Sequence, residues 1–156
     1  MASQSIGKST SYNLLKSEDV ISTLKCLKKL GVRSILSKNK CEIFGLGLNG
    51  FKYKNKTIVL NAGNSGTLGR LIMGLLIHTK SKIKIIGDKS LSKRDFFRVI
   101  DPLKKFGAHI ESNNGRLPVY LKRNKKLSPI KYFEKKGSAQ CKSSVMLAAL
   151  NVAGQQ

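Results

Sequence analysis

The sequence contains no tryptophan, and all aromatics together make up only 6% of it. Proteins that grip single strands by base stacking interleave aromatic and basic side chains, so that mode has little to work with here. Acid is scarce too, with 8 Asp plus Glu against 30 Lys plus Arg. The few carboxylates are scattered and offer no recognisable pair for general acid and base work. Three cysteines, Cys26, Cys41 and Cys141, show no C-x-x-C spacing, and only His78 and His109 accompany them. No metal site is expected from such a set, and the odd thiol count suits a reducing compartment. No apolar run reaches bilayer-spanning length, and Met1 to Lys16 lacks the apolar core of a secretory signal. The expectation is a cytoplasmic protein with no membrane partner. Met1 to Asn13 is Ser-rich and free of acid, a thin likeness to an organelle transit peptide, but it has none of the arginines such peptides favour.

What the chain does have is positive charge. Its formal net charge is +22 over 156 residues, with 40% hydrophobic composition, enough for the core of one compact domain. Partners should therefore be anionic: nucleic acid, acidic lipid, or small molecules bearing phosphate and carboxylate. The lysines are spread along the chain, and the densest runs, Lys122 to Lys126 and Lys135-Lys136, are short. A solvated surface explains them, and a nucleic-acid-binding module remains the main rival from another class. Any chain this basic would lose RNA with rising salt; selective binding that survives moderate salt would mark a true module.

Ser17, then Glu18 and Asp19, then Val20, Leu24 and Leu27 at helical spacing up to Gly31, predict a helix over 17–30. Ser34 to Leu36 and Cys41 to Phe44 read as a hairpin around Ser37-Lys38-Asn39-Lys40, and Thr57 to Leu60 as a further strand. The turn Asn61-Ala62-Gly63-Asn64-Ser65-Gly66-Thr67 opens into a helix carrying Leu68, Leu71, Ile72, Leu75 and Leu76 on one face. Lys82 to Ile86 alternates as a strand, Asp88 to Arg94 forms a polar turn, and a helix starts at about Asp95 and stops at Gly107. Strands at His109 to Glu111 and Leu117 to Leu121 flank a second polar turn.

Sliding the chain over itself shows a repeat. Leu27-Lys28-Lys29-Leu30-Gly31-Val32 returns as Leu103-Lys104-Lys105-Phe106-Gly107-Ala108, and Asn64 to Leu76 returns as Ser138 to Leu150. Two α/β units result, about 10–80 and 81–156, whose helices should pack together under mixed sheets around one core.

Three turns carry the chemistry. Backbone N–H groups at a helix N-terminus attract phosphate and carboxylate, and glycine lets a ligand approach closely, which singles out Asn64 to Thr67. Arg70, one turn further on, could add a guanidinium contact. Arg94 lies just before a helix, where a cation is unfavourable without an anion to meet. Ser138-Ala139-Gln140 offers a hydroxyl and an amide at a second helix start. Against each stands a bland reading: a capped helix, a surface arginine, a solvated charge, a serine cap. Gly45-Leu46-Gly47-Leu48-Asn49-Gly50 fits G-x-G-x-x-G, but no amphipathic helix follows it in Phe51-Lys52-Tyr53-Lys54, so a loop is expected. Ser65 has no G-x-S-x-G elbow and no available base, since His78 falls at the far end of its own helix.

Taken together, Leu60 to Thr67 with Arg70, Gly87-Asp88 with Ser90 to Arg94, Asp101-Pro102-Leu103, Arg116 to Val119, and Ser138-Ala139-Gln140 with Lys142-Ser143 resemble the 5-enolpyruvylshikimate-3-phosphate synthase family, in family order over nearly the whole chain. The resemblance implies transfer of enolpyruvyl from phosphoenolpyruvate to the 5-hydroxyl of shikimate 3-phosphate through a tetrahedral adduct that loses phosphate. It implies no cofactor and no metal, a monomer, and βαβαββ units of an enolpyruvyl transferase-like lobe. It also implies roles: Asn64, Gly66, Thr67 and Arg70 in or beside the phosphoenolpyruvate site, Arg94 on its carboxylate, Ser138 and Ala139 on the shikimate 3-phosphate phosphate, and Gln140 between the ligands. No catalytic acid or base is assigned within the chain.

Three departures stand out. Nothing before Ser17 matches the family's opening Gly-Ser-Lys-Ser stretch and arginine, and Met1-Ala2-Ser3 reads as the interior of the helix that follows it. The proton-transferring Asp, Glu, Lys and Arg of the opposite lobe have no counterpart. Asp95 stands where the family has proline. The chain is thus expected to be one incomplete lobe spanning 1–156, inactive alone, with apolar surface exposed where a further unit would pack. A nucleic-acid-binding module, since related repeats occur in an RNA-cyclising enzyme family, and a catalytically dead ligand sensor are the alternatives.

Overall fold

The computed structural model describes residues 1–52, 56–122, 126–134 and 137–152. The runs Lys122 to Lys126 and Lys135-Lys136, and Tyr53 and Lys54, lie wholly or partly outside these residues. Two sheets are described. The first is antiparallel, in the order β1-β3-β2, from β1 (Ile6–Tyr12), β2 (Arg33–Leu36) and β3 (Lys40–Leu46), with α1 (Glu18–Lys29) between β1 and β2. The second is mixed, in the order β4-β5-β7-β6, from β4 (Thr57–Asn61), β5 (Lys82–Ile86), β6 (His109–Asn113) and β7 (Arg116–Lys122). β4 and β5 are parallel, joined by α2 (Gly66–Leu75), while α3 (Phe97–Lys105) leads from β5 to β6. α4 (Ala139–Ala149) follows the second sheet. The repeated α/β architecture is as expected, except that only the four-stranded sheet is mixed.

Local chemistry accounts for the helices. Ser17 caps α1, its Oγ accepting from the Val20 N–H at 3.4 Å. Glu18 and Asp19 lie in its first turn and Lys28 and Lys29 in its last, both complementing the helix dipole. Gly31 then takes φ +85°, the left-handed conformation that stops a helix at low cost. In the strands, Ile83 and Ile85 of β5 and Leu117, Val119 and Leu121 of β7 alternate inward. They meet Met73 and Leu76 at the end of α2, Phe96, Ile100, Leu103 and Phe106 in and around α3, and Ala148 of α4 in one buried core.

Two expectations need correction. The first residues form a strand that the sequence reading missed, and Met1 to Ser3 is no helix interior, because only a single 3-10 turn, Ala2–Gln4, precedes β1. β1 is exposed along nearly its whole length, with Ile6 92% and Tyr12 70% accessible, so no apolar alternation announces it. Its register with β3, Ile6↔Leu46 through Tyr12↔Lys40, rests on backbone pairing instead. The third helix begins at Phe97 rather than near Asp95, because Arg94 is extended (φ −75°, ψ 152°) after a 3-10 turn at Leu91–Lys93.

The repeat is visible as β1-α1-β2-β3 followed later by β5-α3-β6-β7, with matching strand orders β1-β3-β2 and β5-β7-β6. A division near residue 80 falls inside the second sheet, since β4 pairs with β5 from Thr57↔Lys82 to Asn61↔Ile86. Taken as a sheet with its helices, the six-element unit runs from β4 to β7. α1 and α2 leave an apolar groove of about 450 Å³ between them, lined by Val20, Leu24, Leu68 and Leu71.

α2 and α4 touch backbone to side-chain position. A Cβ on Gly74 would stand 2.1 Å from the carbonyl oxygen of Ser144, and the Ser144 hydroxyl donates to the Arg70 carbonyl at 3.0 Å. Gly74→Ala gains helix propensity of roughly 1 kcal/mol but must push α4 away. The expected net result is a loss of about 1–3 kcal/mol in urea denaturation, as for other overpacked cores. A stabilised variant would show that the two helices do not meet here.

Candidate functional site

Open α/β sheets gather ligands beyond the carboxyl ends of their parallel strands, and the chain leaves β4 and β5 at one such end. After β4 the turn is held by its own polar groups. The Gly63 N–H donates to Asn61 Oδ1 at 2.9 Å, Gly63 takes φ +58°, and the Ser65 N–H donates to the Ala62 carbonyl at 2.9 Å. Ser65 then caps α2, accepting from the Leu68 N–H at 3.2 Å. The Gly66 and Thr67 amides fall in the first turn, where the helix has no carbonyl to offer them.

Two arginines converge on this turn. A Cβ at Gly66 would lie 2.8 Å from Arg70 Nη1 and 3.2 Å from Arg94 Nη1, so glycine leaves both guanidinium groups room where they lie. Arg70 Nη1 donates to Gln140 Oε1 at 2.8 Å, and Gln140 Nε2 donates to Thr67 Oγ1 at 2.9 Å. Arg70 Nη2 also donates to the Asp95 carbonyl at 3.0 Å, and the guanidinium stacks over Phe96, 5.0 Å from the ring centre. Burial, then Arg94, and more weakly Arg98, push the Arg70 pKa below its ordinary value, partly offset by Cys141 and Asp95. It stays cationic nonetheless, and its charge is poorly compensated.

Arg94 is oriented through an acid. Asp88 Oδ1 accepts from the Leu91 N–H at 2.6 Å, and Asp88 Oδ2 from Asn64 Nδ2 at 2.6 Å. That fixes the Asn64 amide so that its oxygen accepts from Arg94 Nη2 at 3.0 Å. The Leu91 amide, followed by the Asn64 amide, holds the Asp88 carboxyl below its ordinary pKa. Asp95 does not pair with Arg94: its Oδ1 accepts from the Phe97 N–H at 2.7 Å.

A cavity of about 340 Å³ collects Arg70, Arg94, Arg98, Asp95, Ser138 and Gln140. Four of the residues predicted from sequence, Arg70, Arg94, Ser138 and Gln140, line it directly. Gly66 approaches through the two guanidinium groups, Thr67 through Gln140, and Asn64 through Arg94. Ala139 opens α4 beside them. Ser138 also fills the bland role, capping α4 by accepting from the Cys141 N–H at 3.3 Å. Sequence reasoning gave no role to Asp88, Phe96, Arg98 or Ser144. An aspartate three residues before the 3-10 amide it accepts from is a capping pattern that could have found Asp88. Gly47, in the G-x-G-x-x-G stretch, follows β3 at φ +78°, and among the described residues no helix opens there. His78 lies beyond the far end of α2, its pKa pushed down by burial.

A family model described as EPSP synthase (3-phosphoshikimate 1-carboxyvinyltransferase) matches residues 1–156. The chain belongs to this family. It is 46% identical over 141 residues to the 3-phosphoshikimate 1-carboxyvinyltransferase of Ruthia magnifica subsp. Calyptogena magnifica, covering 90% of this chain and 32% of that one. It is 43% identical over 150 residues to that of Streptococcus pyogenes serotype M2 (strain MGAS10270), covering 95% and 34%. The solved EPSP synthase of Acinetobacter baumannii superposes with a TM-score of 0.90 at 34% identity, covering 98% of this chain and 35% of that one. The chain thus spans about a third of the length of the relatives it matches. No helix among the described residues is long and apolar enough to cross a membrane.

Because Asp88 titrates below its ordinary 3.8 when folded, its contribution to stability is present above that value. It is lost as pH falls through the lowered folded pKa. Asp88→Asn should therefore flatten the acid limb of the stability curve below about pH 4. Urea midpoints measured from pH 6 downward test this, and parallel curves for the two proteins would dismiss the Asp88 network.

Proposed function

We propose that this chain binds phosphoenolpyruvate and shikimate 3-phosphate as part of the enolpyruvyl transfer reaction of its family. The observation that carries the reading is the convergence of Arg70 and Arg94 on Gly66 at the N-terminus of α2, with Gln140 clasped between Arg70 and Thr67. A helix start and two guanidinium groups favour a ligand with two anionic ends. In this reading the Gly66 turn faces the phosphoenolpyruvate phosphate, Arg94 pairs with its carboxylate, and Asn64, Thr67 and Arg70 complete the wall. Ser138 and Ala139 hold the phosphate of shikimate 3-phosphate, and Gln140 lies between the two ligands.

Transfer joins the 5-hydroxyl of shikimate 3-phosphate to the enolpyruvyl carbon and releases phosphate, with a proton gained and lost on the way. The site can bind, orient and offset negative charge. Its two nearby carboxylates serve local structure, Asp88 accepting from Leu91 and Asn64 and Asp95 Oδ1 accepting from Phe97. In this reading proton transfer belongs to groups outside the described site, as the family resemblance implies. A cytoplasmic monomer is part of the same reading.

The 156-residue chain should bind both ligands saturably in calorimetry and release no inorganic phosphate from them. Arg94→Ala should weaken phosphoenolpyruvate binding by about tenfold to a hundredfold, the usual worth of a charge-assisted hydrogen bond. Turnover by the chain alone would overturn the division of labour. Phosphoenolpyruvate affinity unchanged in Arg94→Ala would overturn the site.

A further inference from the structure

Arg98 is the remaining cation of the cavity, and its position is costly. Because α3 starts at Phe97, the guanidinium in its first turn belongs to Arg98, where a positive charge opposes the helix dipole. Arg98 is exposed, and among the described residues its side chain makes no hydrogen bond and no ion pair. It shares the cavity with Arg70 and Arg94, while the single acid lining it, Asp95, is spent on the Phe97 amide. Three arginines and one aspartate leave a formal surplus of +2, from +3 and −1. Arg70 registers the crowding, since both other arginines lower its pKa.

A phosphate monoester carries about −1.5 to −2 at neutral pH and presents three acceptor oxygens, and with Arg70 and Arg94 given to phosphoenolpyruvate the cation of this cavity left for a second phosphate is Arg98. Ser138 lines the same cavity from α4, whereas Gly66 and Thr67 do not line it. Within the proposed function, on which this step rests, Arg70 and Arg94 serve phosphoenolpyruvate while Ser138, in the same cavity as Arg98, holds the phosphate of shikimate 3-phosphate. We infer that Arg98 is a phosphate-binding residue for shikimate 3-phosphate, reaching the phosphate from α3 while Ser138 reaches it from α4.

Calorimetry on the 156-residue chain and on Arg98→Ala and Arg98→Lys, with shikimate 3-phosphate, unphosphorylated shikimate and phosphoenolpyruvate as separate ligands, tests the assignment. Arg98→Ala should weaken shikimate 3-phosphate by at least about tenfold and leave shikimate and phosphoenolpyruvate within about twofold, with partial recovery in Arg98→Lys. Its thermal midpoint should be unchanged or higher, because a cation leaves the helix N-terminus. Equal weakening of both phosphorylated ligands would reduce Arg98 to a general charge and overturn the inference. Wild-type binding of shikimate 3-phosphate with no effect of Arg98→Ala overturns this inference alone. Failure of the wild-type chain to bind either phosphorylated ligand overturns the proposed function as well.

Discussion

The clasp that aims Arg70 depends on the contact between α2 and α4. The two helices come close only because position 74 has no side chain, which admits the backbone of α4 at Ser144. Once they touch, Ser144 bonds the Arg70 carbonyl and Gln140 clasps the Arg70 side chain to Thr67. Those residues lie some seventy positions apart in sequence, so the clasp has no local precursor. Separate the helices, and the Arg70 guanidinium keeps Phe96 and the Asp95 carbonyl but loses the amide that aims it.

The second constraint is electrostatic. A folded chain normally spaces like charges apart or pairs them, yet here three arginines face one cavity and the nearby acids are turned to other work. Asp88 makes no ion pair with Arg94; it fixes the Asn64 amide, which in turn orients Arg94. Asp95 ties down the start of α3. The acids therefore build the scaffold and leave the cations only partly compensated. That arrangement is unfavourable in the empty site and favourable when an anion enters, the usual opposition between stability and binding at functional positions.

Much of this was readable in advance, for reasons tied to particular residues. Ser17 with Glu18 and Asp19 predicted α1 because caps and dipole act over a single turn. The turn from Asn61 to Thr67 predicted its own geometry because Gly63, Asn61 and Ser65 satisfy one another locally. β1 could not be read, since its polar residues bury almost nothing and its existence depends on an edge offered by β3. The start of α3 was misplaced because the Asp95 carboxylate bonds two residues ahead, an Asx turn that delays the helix. A repeat read from sequence has a period but no phase, and only the pairing of β4 with β5 shows which strands share a sheet.

By itself, then, the sequence determined what short-range chemistry can fix: helices with their caps, buried alternating strands, an excess of positive charge, and turns suited to anions. The tertiary structure decided what depends on distance through space. It chose which arginines meet, freed Arg94 from Asp95, gave Asp88 its part in the site, and set Arg98 on the cavity wall. The physical reason is that capping, propensity and alternation act between residues a few positions apart. The charge a cavity carries is instead summed over helices and turns that only packing brings together.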